Sequence, residues 1–252
     1  MALLTRRSLA DDHGVALIVT LMTMTLILAI GLALTLTTIT EARIAGNYRR
    51  ATQARYAADA AIERVVPELA GVLRWDDVLA GVVKSTFTDG ASSGVRLLPG
   101  GGRLDLAEAT NLVRCGKTVC SAADAVASTD DRPWGANNPM WQPYAYGLLD
   151  GLATSALDVP IYVIVWVGDD PGEDDGDPLH DGGPPTGCNP ETDPRCADGS
   201  AGRGVILLLA RAFGADGTQR TATATLARER NAEGKPVDDR PNGHVVSWRE
   251  GR

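Results

Sequence analysis

The chain has 252 residues with a formal net charge of -8, and 22% of its residues are charged. It therefore lacks the basic field with which a protein holds a nucleic acid. Aromatic residues are only 5%, against 28 glycines and 14 prolines, which points to one long helix plus one loop-rich domain with a modest core.

The chain opens on a short polar stretch with Arg6-Arg7, Asp11, Asp12 and His13, followed by Gly14. From Val15 to Thr40 there is no charged side chain. A membrane-spanning helix needs about 20 apolar residues, so this run is long enough to span. A secretory signal peptide has a shorter apolar core, about 7–15 residues, with its small-residue cleavage site behind it. Here the small residue, Gly14, stands in front. Cleavage after Gly14 would leave the apolar helix as the mature N-terminus, and this layout resembles the class III leader of type IV prepilins.

Two further stretches narrow the resemblance. Gly14-Val15-Ala16-Leu17-Ile18-Val19 is similar to the opening of PilX-type minor pilins and of the large minor pseudopilin of type II secretion. Thr40-Glu41-Ala42-Arg43-Ile44-Ala45-Gly46-Asn47 and Tyr56-Ala57-Ala58-Asp59-Ala60-Ala61-Ile62-Glu63 resemble the PilX-type N-terminal region. The likeness covers roughly residues 1–66. It implies a prepilin leader at 1–14, a transmembrane half-helix at 15–40, a periplasmic half at 41–66 and an exported globular domain at 67–252. It also implies a prepilin peptidase that cuts between Gly14 and Val15 and methylates the amine of Val15. The implied partners are membrane lipid, an inner-membrane assembly platform, and other minor and major pilins. The implied location is the inner membrane, single-pass with the domain in the periplasm, and then the pilus at the cell surface.

Two features depart from the pilin pattern. Major pilins carry a glutamate at the fifth mature position, which is Val19 here; in that family the carboxylate meets the amine of a neighbouring subunit. A buried charge needs its partner, and a subunit with none ahead of it has no use for the glutamate. Val19 thus points to a filament tip; drift to an apolar residue is the plainer alternative. Around the span, Arg6 and Arg7 are accompanied by Asp11 and Asp12, while Arg43, Arg49, Arg50 and Arg55 follow the apolar run. The Lys/Arg distribution does not favour a cytoplasmic N-terminus, so the orientation rests on the cysteines and the resemblance.

The helix is expected from Val15 to about Val66, roughly 78 Å at 1.5 Å per residue. Ala51, Ala54, Ala58, Ala61, Ile62, Val65 and Val66 recur with a period near 3.6 and form a stripe that suits packing on a sheet. Pro67 disfavours helical geometry at Val66; Glu68 to Leu79 reads as a further helical turn or a loop.

Strand signals follow. Gly94 to Leu98 and Gly102 to Leu106 form a candidate hairpin through Pro99-Gly100-Gly101. Ile161 to Val167 is β-branched and apolar, as in a buried strand. Val205 to Phe213 and Gln219 to Ala227 make the clearest pair, joined by Gly214-Ala215-Asp216-Gly217-Thr218. In the second of these, Thr221, Thr223 and Thr225 alternate with Ala222, Ala224 and Leu226, one wet face and one dry. The expected class is α+β: a pilin-like long N-terminal helix whose second half packs on an antiparallel sheet domain with long loops.

Four cysteines, Cys115 with Cys120 and Cys188 with Cys196, allow three disulfide pairings. Local closure is the simplest, and disulfides fit an oxidising compartment. The alternative is a four-cysteine zinc site, for which the second pair is widely spaced.

The segment 168–204 between two strands is dense in carboxylates. Asp169, Asp170, Asp174, Asp175, Asp177 and Asp181 are candidate ligands for Ca²⁺, which takes six to eight oxygens; Glu173 lies among them. The spacing is not that of an EF-hand, and a solvated acidic loop is the competing reading. No other cofactor is implied.

No catalytic constellation emerges. His13, His180 and His244 are scattered, and no G-x-S-x-G or H-E-x-x-H motif occurs. Trp134 and Trp141 flank Asn137-Asn138-Pro139 as a candidate surface patch, though such tryptophans more often pack a loop margin. The reading that results is a non-enzymatic minor pilin that primes assembly at or near a filament tip, with a surface or adhesion role. The alternatives are a type II secretion minor pseudopilin, or a single-span membrane-anchored periplasmic enzyme or binding domain.

Overall fold

The computed structural model describes residues 12–149, 160–173, 175–183, 188–189, 191–192, 196, 203–231, 237 and 241–251. Two compact units divide between Arg49 and Arg50. Helix α1 (Asp12–Ala70) contributes to both.

The first unit is helical. From Val15 to Ile39 every large apolar side chain is 45–70% exposed, so no described residue of this unit covers this surface. Seven threonines interrupt the apolar run, and each returns its hydroxyl to its own helix. Thr20 donates to Leu17 O, Thr23 to Val19 O, Thr25 to Met22 O and Thr35 to Gly31 O. Thr37, Thr38 and Thr40 donate to the carbonyls of Ala33, Leu34 and Leu36. Such internal bonds are what a hydrocarbon environment demands of polar groups.

The second unit is a helix-on-sheet layer. Helix α2 (Asp76–Leu79), strands β1 (Val95–Leu97) and β2 (Arg103–Asp105), and helices α3 (Leu106–Cys115) and α4 (Ala122–Ala125) precede the main sheet. That sheet comprises β3 (Gln142–Leu148), β4 (Tyr162–Asp169), β5 (Val205–Phe213), β6 (Gln219–Ala227) and β7 (His244–Gly251). Its order is β3-β4-β5-β6-β7, each neighbour antiparallel. β1 and β2 pair separately.

One face of the sheet takes the second part of α1. Ala54, Ala57, Ala58, Ala61, Ile62, Val65 and Leu69 share one buried cluster with Val163, Val165, Val167, Ile206, Leu208, Ala210, Ala212, Ala222, Ala224 and Leu226. Alanines on both sides let helix and sheet backbones come close. Side chains at β4 alternate across the sheet, so Tyr162, Ile164 and Trp166 point to the other face, where they meet Leu106 and Ala109 of α3. With a helix on each side, β4 is buried along its whole length, which accounts for its unbroken apolar sequence.

α1 ends later than the proline signal predicts. It runs through Pro67 to Ala70. A proline in a helix interior costs about 3 kcal/mol, and burying a leucine returns about 1.5–3 kcal/mol; Leu69 is fully buried. The end is also tied down from outside. The Trp75 indole donates to Leu69 O at 3.0 Å. The Arg228 guanidinium donates to Val72 O and Leu73 O and lies 4.2 Å over the Trp75 ring. Glu68 to Leu79 is therefore helix end, connector and α2.

Four elements were not anticipated as such. α3 has a legible signature: Asp105 accepts from the Ala107 and Glu108 amides, and Gly116 closes the helix at φ +75°. α4 carries a capping box between Ser121 and Asp124. β3 contains Pro143, and its outer edge is met by the segment around Thr88 rather than by a strand. β7 is an edge strand with exposed side chains and so lacks the dry face that marks a strand in sequence.

Candidate functional site

The chemistry of the chain lies in two places, which are separate in the sequence. The first is the exposed apolar part of α1. Its most apolar stretch is wholly unburied, and among the described residues this is the one helix long and apolar enough to cross a membrane. Gly14 and Val15 lie within α1, and among the described residues nothing outside the local helix backbone and Gly14's two chain neighbours comes within 4 Å of a methyl group placed on Gly14. Residues 1–11 of the expected leader lie outside the described residues.

The second is the acidic segment that leaves β4. β4 ends on Asp169, paired across the sheet with Ile206. The chain then turns, with Asp170 accepting from the Gly172 amide at 3.0 Å and the Glu173 amide donating to Asp170 O. Asp175 accepts from the amides of Asp177 and Gly183, at 3.0 and 2.8 Å. Asp177 accepts from Leu179 N at 3.1 Å. Asp181 bridges outward: its amide donates to Asp76 Oδ1 at 2.8 Å, and its own carboxylate accepts from Gly204 N at 2.7 Å. Asp76 starts α2, so the loop is pinned to that helix and to the entry of β5.

This folding sorts the carboxylates. Asp169, Glu173 and Asp181 each place an oxygen within 4.8 Å of the other two. Asp169 and Glu173 are each only 3% exposed. Asp170, Asp175 and Asp177, by contrast, use their carboxylates to accept amide hydrogens within the loop, and Asp177 is exposed. Asp174 lies outside the described residues. Of the five expected aspartates that are described, Asp169 and Asp181 come together, and Glu173 completes the group. Its spacing from Asp169 across one tight turn is the signal that marks it.

Burial dominates the electrostatics here. It pushes the Asp169 carboxyl up to about 9, and the charges of Glu173, Asp181 and Asp175 add to the shift, while the Asp170 amide opposes it. Asp169 Oδ1 is buried without a hydrogen-bond partner. Gly182 has φ +74°, and a Cβ there would fall 2.2 Å from Arg203 Cβ. The chain at 182 and the entry to β5 are therefore in backbone contact, which a side chain would break.

The cysteines are joined as Cys115–Cys120 and Cys188–Cys196, with Cα separations of 6.1 and 5.7 Å. Both pairings are local, and none of the four is left to bind zinc. The first lies just beyond α3, whose Arg114 donates to Trp141 O and Gln142 Oε1 and ties the helix to β3.

Trp134 and Trp141 both line a cleft of about 550 Å³ on the α3 side of the sheet, together with Leu207, Leu209, Arg132 and Arg211. Its arginines are engaged: Arg132 donates to Asp124 O and Ala125 O, and Arg211 lies 5.9 Å from the Trp166 ring centroid. Trp141 also packs beneath Gly168, where a Cβ would meet it at 3.0 Å. That is loop-margin packing. His180 is exposed, 3.8 Å from Asp76 Oδ1, and His244 lies in β7 opposite Ala227.

Comparison with known proteins bears on the first place. Residues 13–63 match the family model described as PilX N-terminal, about a fifth of the chain. The match begins one residue ahead of Gly14 and ends within α1. No curated protein and no solved structure matches the chain.

Proposed function

We propose that this chain, a PilX-like pilin by its N-terminal region at residues 13–63, is a minor pilin of a type IV filament, acting in assembly rather than catalysis. The observation that carries the reading is the coincidence of that match with a helix whose apolar residues 15–39 lie uncovered. A helix of this kind has two ways to bury its surface. In the inner membrane, lipid covers residues 15–40. In a filament, the helices of other pilins cover the same residues, and lipid contacts are exchanged for helix–helix contacts.

Processing permits the exchange. A prepilin peptidase cuts between Gly14 and Val15 and methylates the amine of Val15, which frees the helix from its polar leader. The assembly platform then lifts the subunit out of the bilayer with its domain on the periplasmic side. Val19 stands where a shaft subunit would carry a glutamate, so the chain needs no amine from a subunit ahead of it. That supports a place at or near the tip, where the subunit primes assembly and presents residues 67–252 at the cell surface.

The test is N-terminal mass spectrometry on protein from the membrane fraction and from sheared filaments. The expected mature terminus is N-methylated Val15 in both. Gly14→Val is expected to leave the leader in place and to keep all the protein in the membrane, because a branched side chain does not fit a site selecting glycine. An intact Met1 terminus in wild-type protein would instead indicate a permanently anchored periplasmic domain.

A further inference from the structure

We infer that the cleft on the α3 side of the sheet binds a small organic carboxylate carried on an apolar body, with Arg132 and Arg211 supplying the positive charge and Trp134, Leu207 and Leu209 the apolar walls. This goes beyond the filament reading and does not depend on it. The cleft holds about 550 Å³, within the roughly 300–1,000 Å³ of small-molecule sites. Its lining follows their pattern too, mostly apolar with a few polar groups. Val113 comes from α3, and Leu207, Leu209 and Arg211 are alternate residues of β5. α3 covers β4 on this face, but these three residues of β5 are only half-buried. The sheet is therefore left open beside the helix.

The charge of the cleft opposes that of the chain. The chain carries -8, yet Arg132 and Arg211 line the cleft against the single aspartate Asp131, and Arg114 lies between lining residues Val113 and Cys115. The partners of these arginines are neutral. Arg132 donates to the carbonyls of Asp124 and Ala125, and the Asp124 carboxylate beside it is taken by Lys117 and Ser121. Arg211 has the Thr221 hydroxyl at 3.4 Å and the Trp166 ring at 5.9 Å. Arg114 donates to Trp141 O and to the amide oxygen of Gln142. Burial lowers the pKa of all three with no carboxylate opposing it, whereas Arg96, bonded to Asp89, is raised. Cations taken out of water without a counter-charge are costly, and an anion in the cleft offsets that cost.

The walls select the kind of anion. A guanidinium suits either a carboxylate or a phosphate. A polyphosphate would bring many charges into the field of a strongly acidic chain and would offer nothing to Leu207 and Leu209. One carboxylate on an apolar body matches both parts of the lining. Trp134 lines the cleft while 45% exposed, so a ligand can cover its ring and gain apolar burial.

The experiment uses the full chain in a non-ionic detergent. The probe is N-acetylphenylalanine, a carboxylate beside an apolar ring, and binding is read by calorimetry and by the change in tryptophan fluorescence. Saturable binding of one molecule per chain is expected. N-acetylphenylalaninamide, the same body without the charge, is expected to bind at least tenfold more weakly. Acetate, the charge without the body, is expected not to saturate in the same range. Arg211→Met removes the charge and keeps an apolar stem; it is expected to weaken the acid at least tenfold and leave the amide unchanged. Trp134→Ala is expected to weaken acid and amide alike, and serves if the first variant does not fold. The inference is overturned if the wild type shows no saturable binding at about 10 mM acid, a concentration at which even a millimolar site fills. It is equally overturned if the amide binds as tightly as the acid, or if folded Arg211→Met or Trp134→Ala protein binds the acid undiminished.

Discussion

Tyr144, Tyr146 and Tyr162 show how single residues tie this fold to pH. All three are buried in the sheet unit. Tyr146 donates its hydroxyl to Gly90 O at 2.8 Å, and Tyr162 donates to Asp89 Oδ2 at 3.0 Å; Arg96 holds the other oxygen of Asp89 at 2.9 Å. Burial pushes Tyr144 up to about 12, with the charge of Glu68 adding. It raises Tyr162 as well, with Asp89 adding. These phenols are held above their unfolded value of about 10, so the stability they contribute is complete below about pH 10 and is lost as pH climbs through the folded values. Far-ultraviolet circular dichroism and tyrosinate absorbance, followed together from pH 8 upward, are expected to change in one step above about pH 10. Tyr162→Phe removes one of the driving ionisations and is expected to move that midpoint upward. It should cost about 1 kcal/mol at neutral pH through its lost hydrogen bond. Ionisation of the buried tyrosines ahead of any loss of ellipticity would contradict this.

At the level of elements, the joint between α1 and the sheet depends on small side chains. Ala54, Ala57, Ala58 and Ala61 are at most 2% exposed and meet Ala210, Ala212, Ala222 and Ala224 in one cluster. No side chain there is long enough to be trimmed, so the sensitive direction is enlargement. Ala58→Leu inserts a branched side chain into a filled layer and is expected to cost about 1–3 kcal/mol. Ala60→Leu, two residues on and exposed, is expected to stay within about 0.5 kcal/mol of wild type. Urea denaturation of the two variants checks the difference. Polar ties on the same helix matter less: Arg50 meets Asp216 at 3.1 Å and Arg55 meets Glu250. Both pairs are about half exposed or more, where ion pairs contribute little.

For the molecule as a whole, the decisive quantity is the apolar surface that its own fold does not cover. Residues 15–39 expose fifteen large apolar side chains, far more than a free surface tolerates. Their threonine hydroxyls are satisfied inside the helix, so lipid or other helices can cover them without stranding a polar group. Leu28→Arg combined with Leu32→Arg places two charges mid-span, each costing about 2.5–3.5 kcal/mol. The double variant is expected to leave the carbonate-resistant membrane fraction, while the wild type remains in it. Retention of the variant at wild-type level would argue that this stretch is buried by protein and not by lipid.

Much of this was written in local sequence. An uncharged run of about two dozen apolar residues dictates a helix long and apolar enough to cross a membrane. An alanine stripe at helical period dictates which face packs, and strict alternation in 219–227 dictates which side of β6 is dry. The close spacing of Cys115 with Cys120 favoured local bonds. Other features depended on contacts distant in the chain. α1 passes Pro67 because Leu69 finds a core and because Trp75 and Arg228, far apart in sequence, cap its end. β7 is a strand because β6 offers it an edge, not because of its own pattern. The carboxylates were countable but not sortable in sequence: Asp170, Asp175 and Asp177 look like Asp169 and Asp181 there. Only the chain path, with the turn at Gly182 against Arg203 and the register of Asp169 on Ile206, decides which oxygens converge out of water and which are used up on the backbone.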